Sequence, residues 1–265
     1  MPVIDPILDK RSAVSRLLNH LFVWLPIQSR RKRLSKLVDA AFDGTVAHGP
    51  FAGQKLTPGA WWGAKDRASM LLGLYERELL DVIVARPARH TMFIDIGAAD
   101  GYYVVGALKC AGFARAIAYE ISARGRACIA DNAQSNGVGD RVEIRGKAEP
   151  GFWQSLDGLD SAACFFLIDI EGGEIDICDD AFFEAFRRSM MVIELHPMFV
   201  DDADRKFADL RARAERWFDV SELRTGARDP AQFEELAMLE DTDRWLIASE
   251  GRKRLMHWLV LRPRD

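Results

Sequence analysis

Five short apolar runs, separated by helical patterns, constrain this chain more than any other feature. They are Met92–Ile96, Ala116–Tyr119, Arg141–Arg145, Cys164–Asp169 and Met191–Leu195. Their largely unalternating character marks strands buried on both faces. Strands of that kind, alternating with helices, build βαβ units and a parallel sheet. Downstream the pattern predicts a polar helix over 202–216, a strand near Phe218–Leu223, and a loop-rich segment. The stretch Glu250-Gly251-Arg252-Lys253 forms a turn before a final strand, His257–Arg262. Between the early strands, residues 122–134 read as a helix.

Upstream, a helix is expected over residues 66–86, striped by Met70, Leu71, Leu74, Leu79, Leu80 and Val84 and stopped by Pro87. The Gly-, Pro- and aromatic-rich stretch 49–62 reads as a loop or lid with short strands, in which Trp61 and Trp62 form a substrate wall or a packed turn. Residues 10–25 read as a helix with the stripe Val14, Leu17, Leu18, Leu21 and Leu25. The basic cluster Arg30-Arg31-Lys32-Arg33 with Lys36 follows, then a second helical pattern through Leu34, Leu37 and Val38. The division expected is a helical extension over 1–50 and one domain over 51–265. A basic amphipathic arm suits a membrane surface or a partner. The plainer reading packs it on the domain with its basic face in solvent.

At 265 residues, 49% of them hydrophobic, the chain can fill one large core. A formal net charge of −4 gives no reason to expect nucleic acid as a partner. The cysteines Cys110, Cys128, Cys164 and Cys178 form no CxxC pair and sit in apolar stretches. They read as buried thiols in a reducing compartment, the cytoplasm. The apolar stretch 21–27 is too short to cross a membrane and contains Pro26. The first residues lack the basic and apolar regions of a secretory signal.

The sharpest local signal is Phe93-Ile94-Asp95-Ile96-Gly97-Ala98-Ala99-Asp100-Gly101-Tyr102-Tyr103. A buried strand ends in an acid, and a turn of small residues opens a helix whose amides face a ligand. A nicotinamide fold would place a pyrophosphate there, and the Asp95 carboxylate would repel it. A ligand with a cationic group, such as an ammonium near a sulfonium, fits better. A second short strand ends in Glu120, whose carboxylate can accept both hydroxyls of a ribose. The third strand leads into Gly146-Lys147-Ala148-Glu149.

Here the sequence resembles the class I S-adenosylmethionine-dependent methyltransferases, with Ala99 standing where many members have glycine. The resemblance implies a Rossmann-like, seven-stranded, mostly parallel sheet with helices on both faces and an antiparallel final strand. It implies S-adenosylmethionine held by Asp95, Gly97, Ala98, Ala99, Asp100, Gly101, Tyr102, Glu120, Lys147, Ala148, Glu149 and Asp169. Glu120 would bind ribose, and the Lys147–Glu149 turn would meet adenine.

The run Phe166-Leu167-Ile168-Asp169-Ile170-Glu171-Gly172-Gly173-Glu174 resembles the Asp-x-Glu-Gly-x-Glu motif of the FkbM-like family, as do Met191–Pro197 and Leu74-Tyr75-Glu76. That resemblance covers roughly residues 70–200 and implies transfer of methyl to a hydroxyl of a small molecule or glycan. Independently, strand carboxyl ends line the crevice of such a sheet, so Asp169, Glu171, Glu194 and His196 are expected to converge. Two mechanisms are open. His196 takes the hydroxyl proton, oriented by a carboxylate, with Asp169 and Glu194 as the other catalytic candidates. Alternatively the cluster holds a divalent ion that acidifies the hydroxyl. His196 before Pro197 also suits a simple strand-end cap.

Glu76 is a candidate cofactor or substrate contact, and Tyr102 and Tyr103 either shield the methionine end or pack in the core. His20, His48, His90 and His257 stand without supporting company. No Asn/Asp-Pro-Pro-Tyr/Phe tetrapeptide follows the fourth strand, which argues against amino-methylation of nucleobases. No Pro-Cys nucleophile for cytosine C5 chemistry is present either. The competing functions are a non-catalytic cofactor-binding scaffold docking through its basic arm and, disfavoured by Asp95, a nicotinamide-dependent oxidoreductase.

Overall fold

The computed structural model describes residues 12–58, 63, 65–252 and 254–264. Seven strands form one sheet: β1 (Met92–Ile96), β2 (Arg115–Tyr119), β3 (Val142–Arg145), β4 (Cys164–Ile168), β5 (Met190–Leu195), β6 (Phe218–Arg224) and β7 (His257–Pro263). Their order is β3-β2-β1-β4-β5-β7-β6. The first five pair in parallel, and β7 lies antiparallel between β5 and β6. The sheet is Rossmann-like and its final strand is reversed, as expected.

Strand alternation divides the core in two. Phe93, Ala116, Phe165, Val192 and Trp258 face one apolar layer. Ile94, Ile117, Phe166, Ile193 and Leu259 face the other. The first layer is covered by α2 (Leu25–Phe42), α3 (Arg67–Leu71), α4 (Arg77–Ala85), α5 (Tyr102–Lys109), α6 (Ala123–Ser135) and α10 (Asp241–Ala248). The second is covered by α7 (Glu174–Ile177), α8 (Asp180–Ala185) and α9 (Ala203–Ala214). Apolar layers on both faces explain why β1, β2, β4 and β5 read as nearly unbroken hydrophobic runs, whereas β3, at the sheet edge, is only half-buried. By the same alternation, Asp95, Asp169, Glu194 and His196 emerge on the first layer's side.

Three expectations need correction. The amino-terminal segment is not two helices parted by a basic break. The first helix, α1 (Ala13–Asn19), runs through a π turn, His20–Trp24, directly into α2. Its basic cluster is also not wholly solvated. Arg31 is buried on Asp66 (2.8 Å) and the Ser249 carbonyl (2.8 Å), and Arg30 pairs with Asp243 and Glu240.

The single helix expected over 66–86 is broken into α3 and α4. Gly73 and Glu76 between them adopt positive φ, +67° and +44°. Gly73 packs so tightly on His48 that a Cβ there would lie 2.1 Å from its carbonyl oxygen. The 49–62 stretch forms no strand among its described residues; a lone antiparallel bridge joins Thr45 and Lys55. Trp61 and Trp62 lie outside the described residues. Among the described residues the four cysteines form no disulfide, and Cys128, Cys164 and Cys178 are buried. Among the described residues no helix is long and apolar enough to cross a membrane.

Candidate functional site

A cavity of about 760 Å³ opens at the carboxyl ends of β1, β2, β3 and β4. It falls within the size of small-molecule sites and lies where open α/β sheets bind ligands. The Gly97–Tyr103 turn forms one wall. Its conformation is locally dictated. Gly97 has φ +100°, and a Cβ there would meet the Asp169 carbonyl oxygen at 1.9 Å. The small residue at 97 is thus required by the crossing of the β1 and β4 turns, rather than by a ligand alone. Ala99 sits at φ +49°, in the left-handed region that glycine tolerates best.

Glu120 lies at the tip of β2 and lines the cavity. Its carboxylate accepts the Ala99 amide at 2.9 Å and the Ser122 amide at 2.7 Å. Gly125 makes room for it, since a Cβ at 125 would lie 2.6 Å from Glu120 Cγ. Lys147, Ala148 and Glu149 form the far rim with Pro150 and Ile121. Lys147 and Glu149 pair with each other at 2.9 Å, exposed at the surface. Asp100, buried in the same turn, is pushed up to about 6 by desolvation.

Asp95 does not line the cavity; it is buried behind the turn, 1% exposed. Its Oδ2 has no hydrogen-bond partner among the described residues. Burial, then the charges of Asp169 and Glu120, push it well above the ordinary carboxylate range. A carboxyl buried in that way is held as the neutral acid until a cation or hydrogen-bond donor reaches it.

On the other wall, Asp169 reaches the cavity from the end of β4. Behind it the structure brings His196 and Glu194 together as expected, but Glu174 takes the place expected of Glu171. Glu171, at φ +53°, is exposed and lines the cavity instead of joining the His196 cluster. That reversal lets Glu174, fully buried at the start of α7, accept the Ile170 and Gly172 amides and stand 2.9 Å from His196 Nδ1. His196 Nε2 then faces Asp169 at 3.4 Å and Glu194 at 3.7 Å. His196 is therefore more than a strand-end cap, yet it is only 6% exposed and touches the cavity through Asp169.

The electrostatics of this cluster are coupled. Burial raises Asp169 to about 6, against the pull of the His196 charge. Burial, then the Asp169 charge and a hydrogen bond shared with it, push Glu194 well above its usual range. A protonated Glu194 donating to Asp169 keeps the latter's charge in place. For His196, burial lowers affinity for the proton, but the Glu174 hydrogen bond and the Asp169 and Glu174 charges outweigh it, a net rise. Asp169, Glu174 and His196 also offer ligand atoms within 4.8 Å of one another, a set that could hold a divalent cation.

Several neighbours were assigned less by the sequence than they do here. Glu194 accepts Trp258 Nε1 at 3.2 Å and faces Arg252 at 3.4 Å. Arg252 also binds Glu250 at 2.8 Å, together with Glu76 and the Tyr75 hydroxyl. Glu76 accepts the Tyr103 hydroxyl and is buried away from the cavity, so it anchors the wall rather than meeting a ligand. Tyr75, Tyr102 and Tyr103 do line the cavity and pack edge to face. Glu174 was legible as the last residue of its motif. Arg252, in a turn, carried no signal.

No known family's sequence profile matches the chain, and no curated protein matches it. Solved structures resemble its course. A precorrin-6y C5,15-methyltransferase from Geobacter metallireducens is 15% identical over 71% of this chain and 89% of its own, with a TM-score of 0.46. An O-methyltransferase from Bacillus cereus, in complex with SAH, is 14% identical over 95% and 97%, with a TM-score of 0.44. A protein of the NADB-Rossmann superfamily from Streptococcus agalactiae is 16% identical over 71% and 68%, with a TM-score of 0.46. At these identities and TM-scores the likenesses transfer no substrate, cofactor or residue role.

Proposed function

We propose that the chain is an S-adenosylmethionine-dependent methyltransferase acting on a hydroxyl of a small molecule or glycan. The observation that carries this reading is the convergence of Asp95, Glu120 and Asp169 at the ends of β1, β2 and β4, with Asp95 Oδ2 unpartnered. Glu120 and Asp169 on the cavity, with the Asp95 carboxyl behind the turn, disfavour a pyrophosphate and favour a ligand bearing an ammonium and a sulfonium, whose positive charge would draw Asp95 into its ionised form. Glu120 would take the ribose hydroxyls, and Ala148 and Glu149 the adenine. The motif from Asp169 to Glu174 resembles the FkbM-like family and supports oxygen as the acceptor.

S-adenosylmethionine would supply an electrophilic methyl group on a sulfonium, which leaves as a neutral thioether. The chain's own work is to hold the acceptor and take its proton. Asp169 would accept the hydroxyl proton as the oxygen bonds to the methyl carbon. His196, fixed by Glu174, orients Asp169 and stabilises its charge. A second reading, in which a divalent ion on Asp169, Glu174 and His196 acidifies the hydroxyl, is favoured by their mutual distances. Loss of turnover on chelation, restored by the metal, would select it.

Calorimetric titration with S-adenosylmethionine, with NADH as control, tests the cofactor. Saturable binding of the first alone is expected, weakened at least tenfold in Glu120→Ala by loss of two charge-assisted hydrogen bonds. A folded chain that binds neither overturns the reading.

A further inference from the structure

The amino-terminal helix is an apolar surface that the rest of the described chain leaves uncovered. Val14, Leu17, Leu18, Leu21, Phe22 and Leu25 follow the spacing of one helix face. All six are exposed, Phe22 to 73% and Val14 to 66%. Val23, Trp24 and Ile27 are exposed as well. No residue of α1 or of the π turn is buried. A contiguous apolar surface of this kind marks an interaction site.

The charge around it identifies the occupant. From Ser12 to Val38 there is no Asp or Glu, but there are six cations, in a chain whose net charge is −4. Arg30 and Arg31 root the helix to the body through Asp243, Glu240 and Asp66. Lys32, Arg33 and Lys36 are exposed one turn beyond the apolar stretch. Two copies packed through this helix would bring like charges together with no acid on either arm to offset them. A bilayer surface rich in anionic headgroups offers both an apolar boundary and the opposite charge.

We propose that Ala13–Ile27 is an interfacial helix that docks the protein on anionic membranes, its apolar face in the acyl boundary and Lys32, Arg33 and Lys36 on the headgroups. The inference is independent of the methyltransferase reading. It requires the helix to lie in the surface, since no helix of the described residues is fit to span.

The test is co-sedimentation of the full chain with vesicles of phosphatidylcholine alone or with about one third phosphatidylserine. Binding to the anionic vesicles is expected, falling with salt as surface charges are screened. Each basic residue near the surface contributes about fivefold, so Lys32→Glu/Arg33→Glu/Lys36→Glu should weaken binding at least on the order of 100-fold. Leu17→Glu/Leu21→Glu/Phe22→Glu, at exposed positions, should abolish it while thermal unfolding stays unchanged. Failure of the wild-type chain to bind anionic vesicles overturns the proposal. Equal binding to both vesicle types overturns the role of the cations. Absence of vesicle binding, with a dimer in sedimentation equilibrium that the apolar variant dissolves, assigns the face to a second copy instead.

Discussion

Of Asp169, Glu174, Glu194 and His196, only Asp169 lines the cavity, so the proton chemistry of the proposed reaction rests on it. Its carboxyl is raised to about 6 by burial, near the value that serves a general base at neutral pH. The folded chain therefore holds this proton more tightly than the unfolded chain does. The stability gained is full below the unfolded value of 3.8 and is lost as pH rises through about 6. The base becomes active over the window in which it begins to destabilise the fold. Turnover should rise about tenfold per pH unit below 6 and then level off. Asp169→Asn should lower kcat by about 10²–10⁴ and remove that acid limb, with a much smaller effect on cofactor affinity. His196→Ala removes the cation that restrains Asp169, so the limb should move to higher pH. Rate profiles of the three proteins between pH 5 and 8 check both. The sequence marked His196, Asp169 and Glu194 by their places after strands. It did not give Glu174 its role, because that depends on the reversal at Glu171, which no strand alternation foretells.

The turn after β1 crosses the turn after β4 in close contact. Gly97 and the Asp169 carbonyl leave no space for a methyl group, and Gly97 holds φ +100° besides. Gly97→Ala must therefore push two site walls apart. The cost should exceed about 4 kcal/mol, lowering the melting temperature by roughly 10 °C or more in a calorimetric scan. Ala99→Gly, which relieves a left-handed alanine, should leave it unchanged or higher. The inner strands β1, β2, β4 and β5 were legible to within a residue because burial on both faces writes nearly unbroken apolar runs, whereas β3 and the alternating β6 are half-exposed and were placed by their neighbours' spacing. The helix over 66–86 was misread because its apolar stripe is shared by α3, the linking turn and α4. Only the contact of Gly73 with His48, from a distant segment, shows where the helix must stop.

At the scale of the whole molecule, Arg252 joins parts that the sequence leaves unrelated. One guanidinium binds Glu76 before α4, Glu194 on β5 and Glu250 in its own loop, and stacks over Tyr75. The Glu76 partner lies 176 positions away, so neither periodicity nor motif could reveal the pairing. These contacts tie the tyrosine wall of the cavity to the sheet, and they do so at the two walls' shared back. Arg252→Met keeps the apolar stem but strands buried carboxylates without their cation, a loss of about 3 kcal/mol. The melting temperature should fall by roughly 6–12 °C at pH 8. The deficit should shrink as pH falls, because Glu250, already pushed above its usual range by burial, takes up its proton sooner than a solvated carboxylate does. A deficit that does not change with pH would show that Arg252 acts through packing and not charge. A variant that keeps the wild-type melting temperature but loses S-adenosylmethionine affinity would instead place the guanidinium in the binding site itself.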